Sequence, residues 1–492
     1  MAEIKTPQIE SPDFTDKNDL PSESYPELVP LTSTELTDEQ RREERQFVWR
    51  LDLSLLVIGF LGYAFKYIDQ QNISNAYVSG MKEDLNIVGN QYNYFTVLFN
   101  AGYIIMLWPS CILVSRIGPS KWLPFCEVMW GIFTCCLALS KNYRTIYGLR
   151  FLVGFFEGSA WPGYMTIISQ WYLPHEIALR MSLYNIAQPV GAMLSGAMQG
   201  ALSTNLEGHG GKAGWQWAFI VNGVCTIAIA LAAFFVLPGY PERPNPLAGW
   251  YMKEKHIAIA LRRNARVNRS GQRPITVKSF LNVFRNWKVW AFGLAWVLGG
   301  CTTPSGFFNL WLKSLKLPNG KARYSVAQLN YLPIAGQAIS LGLQVIFSSI
   351  SDYTGNRIGF LLLHFALNFT SEIILIIRPS NYHTYMAGWY LNYCGFAAML
   401  IICGWASTVL ADQPEARTVL FASGTLLAYI LSAFVPLAAF PASEAPNWRI
   451  GAKLYLGFCL VGLALYLIIY FGLQYENKRK IKKSQEGKRQ VA

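Results

Sequence analysis

Residues 51–73, LDLSLLVIGFLGYAFKYIDQQNI, form an apolar run of helical length that carries Lys66 and Asp69 where lipid disfavours charge. The two residues are three apart and so share a helical face, with Tyr63 and Asn72 about a turn to either side. A charge at bilayer depth costs roughly 3 kcal/mol or more and persists only when paired or turned toward a watery cavity. One reading is a structural ion pair that pins two helices together. The sharper reading is a solute pathway.

Comparable apolar stretches recur near residues 91–114, 122–140, 145–171, 181–202, 215–237, 288–312, 326–350, 358–378, 384–411, 418–440 and 451–474, for twelve in all. Each can supply the ~20 residues that cross a ~30 Å hydrocarbon core. The composition, 52% hydrophobic and 14% charged, is too apolar for a soluble chain of 492 residues. The expected fold is therefore an all-α integral membrane protein. The first 46 residues are polar and acidic, so no cleavable signal peptide is expected.

A net charge of +13 invites a nucleic-acid reading, but its distribution argues against one. With a cytoplasmic N-terminus, 29 of the 42 Lys and Arg fall on the cytoplasmic side, 11 fall outside, and Lys66 and Arg150 lie within spans. This asymmetry is the positive-inside pattern and predicts a multi-pass protein with both termini in the cytoplasm, most naturally in the plasma membrane. Trp49, Trp171, Trp287 and Trp311 fall near span ends, where an indole can sit among headgroups. The basic runs orient the chain and need no nucleic acid.

All nine cysteines lie in expected spans without C-x-x-C spacing, which argues for packing and against disulfides or a metal site. The five histidines are scattered, with none of the clustered boxes of a membrane metalloenzyme, and no nucleophile motif is present. No catalytic residue, metal or cofactor is expected, and the chain does not read as an enzyme. His364 and Glu372, in the ninth span, could form a second polar site, although a buried structural hydrogen bond is the commoner role for such residues.

The organisation is two-fold. Residues 1–46, acidic and poor in large apolar side chains, are expected to be a disordered tail. Residues 47–237 hold six spans, 238–287 form a hydrophilic linker, 288–474 hold six more, and 475–492 form a basic tail. A weak repeat relates the halves. Ser351-Asp352-Tyr353-Thr354-Gly355-Asn356-Arg357 follows the eighth span, and Ser115-Arg116-Ile117-Gly118-Pro119-Ser120-Lys121 follows the second. Asp352 and Arg357 suit the clamping of a short inter-helix turn, with Gly355 supplying backbone freedom.

Both segments resemble the short cytoplasmic loop motif of the major facilitator superfamily, Gly-x-x-x-Asp-Arg-x-Gly-Arg-Arg. The second copy keeps the Asp, a Gly and a final Arg, which would make Asp352, Gly355 and Arg357 a gating loop; the first has Ser115 where Asp is expected. The resemblance implies twelve transmembrane helices in two six-helix bundles.

The fourth span carries Arg150, Gly154, Glu157, Gly158 and Pro162. Arg150 and Glu157 are two turns apart, ~10.5 Å along the axis, on nearly one face. Gly154 and Gly158 form a stripe that admits a neighbouring helix closely, and Pro162 can bend the helix beside Glu157. This segment resembles the Arg-x-x-x-Gly-x-x-Glu-Gly pattern of organic-anion symporters. That likeness implies that Arg150 binds or gates the substrate anion and that Glu157 takes the coupled proton. A purely structural pairing of Arg150 with a carboxylate is the competing reading.

The string from Phe65 to Lys82, FKYIDQQNISNAYVSGMK, is similar to the fungal allantoate permease family, and most like its vitamin and pantothenate branch. Gln170-Trp171-Tyr172 with Glu176 and Arg180, and Gly214-Trp215-Gln216-Trp217, carry the same likeness. Related bacterial symporters have Asp-Arg in the first span. Here Gln70 follows Asp69, and Lys66 stands one turn away to supply the cation. The resemblance implies a monomeric proton-coupled symporter for a small carboxylate. Pantothenate is the leading substrate, and biotin or another vitamin-like or allantoate-type anion comes next. A non-transporting nutrient sensor is the alternative outside that class.

In this scheme Asp69 and Glu157 are the proton-coupling groups. Lys66 and Arg150 hold the anion, with Tyr63, Asn72 and Asn309 as polar neighbours. Protonating a carboxylate releases its cation to the incoming anion, so proton and anion favour each other's binding.

Overall fold

A capping box opens the described chain. In the computed structural model, which describes residues 36–267, 285–301, 303–410 and 413–491, helix α1 (Asp38–Leu51) starts at Thr37. The Thr37 side chain accepts from the Gln40 amide at 3.3 Å, and the Gln40 side chain accepts from the Thr37 amide at 3.1 Å. The expectation of disorder to residue 46 is thus corrected from Asp38 onward; residues 1–35 lie outside the described residues. Phe47 and Leu51 of α1 are buried, and Phe47 packs on Trp171 and His256, so tertiary burial joins the cap in holding this highly charged helix.

A widened π turn at Asp52–Leu56 joins α1 to α2 (Val57–Ala76). The first half continues with α3 (Gln91–Ile117), α4 (Pro119–Leu137), α5 (Tyr143–Glu157), α6 (Ala160–Trp171), α7 (Pro174–Asn205) and α8 (Gly214–Val236). The expected linker is not featureless. It holds a short hairpin of β1 (Gly239–Tyr240) and β2 (Arg243–Pro244), then helix α9 (Glu254–Arg266).

The second half comprises α10 (Trp287–Trp296), α11 (Phe308–Ser314), α12 (Val326–Thr354), α13 (Arg357–Ile377), α14 (Tyr382–Asn392), α15 (Ala397–Val409), α16 (Pro414–Ala439) and α17 (Gly451–Val491). Helices overlie each of the twelve expected stretches, and among the described residues eight are long and apolar enough on their own to cross a membrane. The others have visible reasons. The fourth stretch breaks between Glu157 and Ala160, and the seventh is interrupted by a π turn at Val297–Cys301 and a 3-10 turn at Pro304–Phe307. The third and fifth carry more polar side chains. The basic C-terminal segment continues α17 rather than leaving the helix at residue 475.

Glycine sets the closest packing. A Cβ on Gly154 would run into the Phe99 backbone of α3, and one on Gly158 would stand 2.9 Å from the Tyr103 carbonyl oxygen. The Gly154–Gly158 stripe thus seats α5 on α3. Each half has its own apolar core, around Tyr164 and Trp171 in the first and around Phe292 and Trp296 in the second. A third cluster joins the halves at the end of the bundle remote from the termini, where Tyr77, Phe95 and Trp215 meet Phe308, Trp311 and Phe440.

At the terminal end, ionic contacts strap α1, α7 and α9 together. Arg180 grips Asp52 through two bonds of 3.0 and 2.8 Å. Arg263 reaches Glu176 at 2.6 Å, and Arg266 pairs with Glu44.

Candidate functional site

Lys66, Asp69, Arg150 and Glu157 converge inside the first half, each no more than 2% exposed. Helix α2 supplies the first two and α5 the others. The close seating of α5 on α3 sets Arg150 and Glu157 beside α3, and Tyr103 of α3 reaches across to Lys66 of α2.

Lys66 does not pair with Asp69. Its Nζ lies 3.8 Å from Glu157 Oε1, donates to Tyr103 Oη at 3.2 Å, and stands 4.8 Å from the Tyr103 ring centre and 5.3 Å from that of Tyr63. Gln70 Nε2 also donates to Glu157 Oε1, whereas Glu157 Oε2 has no hydrogen-bond partner among the described residues. Asp69 turns the other way. Its Oδ2 accepts from Thr134 Oγ1 at 2.8 Å and its Oδ1 accepts from nothing.

Arg150 is the least satisfied of the four. Its guanidinium lies over the Phe99 ring, 4.4 Å from the centre, and its Nε and Nη1 have no hydrogen-bond partner among the described residues. It is within electrostatic range of Asp69 and Glu157 but makes no ion pair with either within 4 Å. The four charges are balanced in number without being mutually neutralised. A buried planar fork with free donors suits a carboxylate, which can accept two parallel bonds.

The remaining expected residues fall in two groups. Tyr63 stays beside Lys66; its ring stacks on Tyr184 at 4.2 Å, and its hydroxyl is 3.4 Å from that of Tyr67. Asn72 and Asn309 belong instead to a neutral chain across the two halves. Asn309 Nδ2 donates to Asn75 Oδ1 at 2.8 Å, Asn75 Nδ2 donates to Ser195 Oγ at 2.9 Å, and Ser195 Oγ donates to Asn72 Oδ1 at 2.8 Å. Asn330 likewise bonds Ser79 at 2.8 Å, and Asn93 bonds the Phe440 carbonyl at 3.0 Å. These contacts all gather toward the end remote from the termini. The innermost link is the stack of Tyr103 on Tyr429 of α16, 3.8 Å between ring centres, which places the Lys66–Glu157 pair one side chain from the second half.

The loop residues lie elsewhere. Gly355 adopts φ +67° as the C-cap of α12, as the short turn requires. Arg357 donates to Thr408 Oγ1 at 2.9 Å on α15, and the side chain of Asp352 lies outside the described residues. Gly355 and Arg357 border a cavity of about 740 Å³ with Lys288, Trp405, Tyr470 and Glu476, apart from the four charges.

The sequence reading missed the neutral partners of the charges, Tyr103, Gln70 and Thr134, and the buried Glu127, whose own partner is Tyr164. Gln70 and Thr134 are neutral and leave no mark in a charge-based scan. Glu127 of α4 does leave one, because it interrupts the apolar run PFCEVMWGIF. It is 2% exposed, and its Oε1 accepts from Tyr164 Oη at 2.9 Å. Among the described residues, no group of three or more His, Cys, Asp or Glu is placed to hold a metal ion.

Comparison with known proteins accords with this architecture. The chain is 27% identical over 420 residues to the pantothenate transporter FEN2 of Saccharomyces cerevisiae, covering 83% of this chain and 80% of that one. It is also 27% identical over 460 residues to the vitamin H transporter of the same yeast, covering 90% and 75%. Among solved structures, the xylose transporter XylE of E. coli, in a partially occluded inward open conformation, superposes with a TM-score of 0.61 over 85% of this chain and 98% of that one, at 14% identity. The Major Facilitator Superfamily profile matches residues 59–436, most of the membrane part, and this chain belongs to that superfamily.

Proposed function

We propose that this protein is a proton-coupled symporter that carries a small organic carboxylate by alternating access, with pantothenate the leading substrate and biotin the next. One observation carries the reading: Arg150, 2% exposed at bilayer depth, has two guanidinium nitrogens without a partner beside two carboxylates that also have unpartnered oxygens. A cation so placed is worth its desolvation when an anion visits it. The vitamin-like substrate rests on the named relatives, FEN2 and the vitamin H transporter.

The coupling follows from the contacts of Glu157. While it is ionised, Glu157 holds Lys66 and accepts from Gln70. A proton on Glu157 weakens its hold on Lys66 and frees that ammonium to join Arg150 around the incoming carboxylate. The anion in turn raises the local negative potential and favours the proton, so the coupling is reciprocal. Asp69, held by Thr134, is the second proton-coupling candidate. The halves then rock about this site, and the neutral bonds at the remote end part as the terminal end closes.

The deciding experiment expresses the protein in a fungal strain unable to import pantothenate, at limiting external vitamin, and measures labelled uptake against pH. Growth, with uptake that rises as external pH falls and collapses with a protonophore, is the expected result. Biotin uptake without pantothenate uptake would move the substrate to the neighbouring branch. Uptake that ignores the proton gradient would remove the symport reading, and no uptake of any carboxylate in a wide panel would favour a sensor.

A further inference from the structure

The second half contains a buried carboxyl group that the scheme above does not use. Glu372 on α13 is 0% exposed. Its Oε1 accepts from Asn392 Nδ2 at 2.8 Å, and its Oε2 has no partner among the described residues. The titratable groups within electrostatic reach of it are Tyr455 and Cys459 of α17; His364 stands two turns earlier on the same helix. From α14 it meets the neutral Asn392. Among the described residues it has no cation within ion-pair distance, in contrast to Glu157. An ionised carboxylate alone at this depth is the most expensive arrangement available to it, and such a group neutralises instead.

The surrounding polar atoms are short of donors. Asn392 Nδ2 is shared between Glu372 and Ser371 Oγ, at 2.8 and 3.2 Å, and Ser371 Oγ spends its own proton on the Gly388 carbonyl at 2.8 Å. Asn392 Oδ1 and Asn368 Oδ1, both buried, have no hydrogen-bond donor among the described residues. The cluster therefore has three orphaned oxygens, counting Glu372 Oε2, and one proton on the carboxyl supplies the donor that it lacks.

The cluster also sits where two spans are broken. Asn392 ends α14 at the 3-10 turn Tyr393–Phe396, and Gly395 of that turn lies against Thr303, beside the interruption of the seventh span. His364 Nε2 lies 3.0 Å from the Gly395 carbonyl and fixes the same turn from the other side. Broken helices with freed carbonyls are where transporters hold coupling ions, because the backbone there can change shape without unmaking a continuous helix.

We infer that Glu372 is a second proton site, in the second half, that loads and unloads once per transport cycle through the broken segments of the seventh and tenth spans. This rests on the symport reading above. The proton binds to a carboxylate oxygen on one side of the membrane and leaves from it on the other, with no other bond made or broken. With the first-half proton and a monocarboxylate, the cycle then moves one net positive charge, so uptake responds to membrane potential as well as to pH.

The test uses the full chain in proteoliposomes, with whichever of labelled pantothenate and biotin the complementation experiment selects. The wild type should move about two protons per anion, with uptake accelerated by an inside-negative potential, and Glu372→Gln about one, with the potential dependence lost. Infrared spectra at neutral pH should show a carboxylic-acid C=O band that disappears in Glu372→Gln and shifts in Glu372→Asp. An unchanged proton ratio in a folded Glu372→Gln, or a wild-type minus Glu372→Gln difference spectrum with no acid band, overturns the inference. Should the Gln variant not fold, the wild type decides alone: potential-independent, one-proton uptake also overturns it. Transport with no proton movement in the wild type instead removes the symport reading itself, so the two failures are distinct.

Discussion

Within its spans the N-terminal half buries Lys66, Asp69, Glu127, Arg150 and Glu157, whereas the C-terminal half, among the described residues, buries one carboxyl, Glu372, and one imidazole, His364. Both halves are helical bundles built on six stretches, so the difference is one of chemistry and not of architecture. Charges confined to one half attract one another and the substrate without tying that half to its partner. Most of the hydrogen bonds between the halves join neutral groups: Asn309 to Asn75, Asn330 to Ser79, Asn100 to Ser432, and Asn93 to a carbonyl. The exception is Lys313, which bonds the Tyr77 carbonyl and pairs with Glu83 at the rim. The proposed rocking would therefore break few ion pairs in a low-dielectric interior, where removing one partner costs about 3–5 kcal/mol.

The sharpest way to break this comparison is Glu157→Gln. It keeps the bond from Gln70 or its equivalent and removes the titratable oxygen. With a one-unit pH gradient, worth about 1.36 kcal/mol or tenfold accumulation per proton, the variant should fail to concentrate substrate while exchange of labelled for unlabelled substrate persists. Wild-type accumulation in a correctly inserted variant would shift the proton role to Asp69.

Arg150→Lys comes next. A lysine keeps the charge and loses the fork, so substrate affinity should fall by about 10- to 100-fold, equivalent to about 1.4–2.7 kcal/mol. Substrate protection in a thermal-shift assay should fall in step, while melting without substrate stays near wild type. A variant that melts early yet binds normally would make Arg150 a structural tie.

Thr134→Val probes the third charge. If Asp69 is ionised in the resting state, loss of its one hydrogen bond costs roughly 1.5–3 kcal/mol, and the uptake–pH profile moves to higher pH because the acid form is relatively favoured. A profile that does not move indicates that Asp69 stays protonated throughout.

The smallest effect belongs to the neutral contacts. Asn309→Ala removes a bond of about 1 kcal/mol, a roughly fivefold shift toward opening at the remote end. Spin labels replacing the exposed Val88 and Val326 should report a larger population of long distances. No change in that distribution would show that the apolar cluster around Phe308 and Trp311 closes that end by itself.

Much of this arrangement was legible in the sequence because charge inside an apolar run is rare and conspicuous. Lys66, Asp69, Arg150 and Glu157 stand out on that ground, and Glu127 would have done so under the same rule. Their pairing was not legible. Lys66 and Asp69 share a face of one helix, yet Lys66 reaches Glu157 and Asp69 reaches Thr134, because α3 and α5 seat Glu157 nearer to Lys66. The Asn–Ser chain was hidden for another reason. Its bonded pairs are ordinary polar residues 120 or more positions apart; the packing of α7 on α2 brings Ser195 to Asn72 and Asn75, and the docking of the two halves brings Asn309 to Asn75. The early start of α1 was written locally as Thr37-x-x-Gln40, a signal masked by the acidic composition around it.

One consequence of the asparagine contacts concerns the medium on the face opposite the termini. Amide-to-amide and amide-to-hydroxyl bonds carry no net charge and do not titrate, so neither dissolved salt nor ambient acidity weakens them directly. Among the described residues, the Lys313–Glu83 pair at the rim is the part of this door that salt and acid reach; the asparagine bonds keep the same resistance in dilute and concentrated, sour and neutral surroundings. What changes with the surroundings is the occupancy of the buried charges behind it. If the proposed symport holds, acidity acts on the buried charges as fuel and leaves the asparagine bonds that fasten this end untouched.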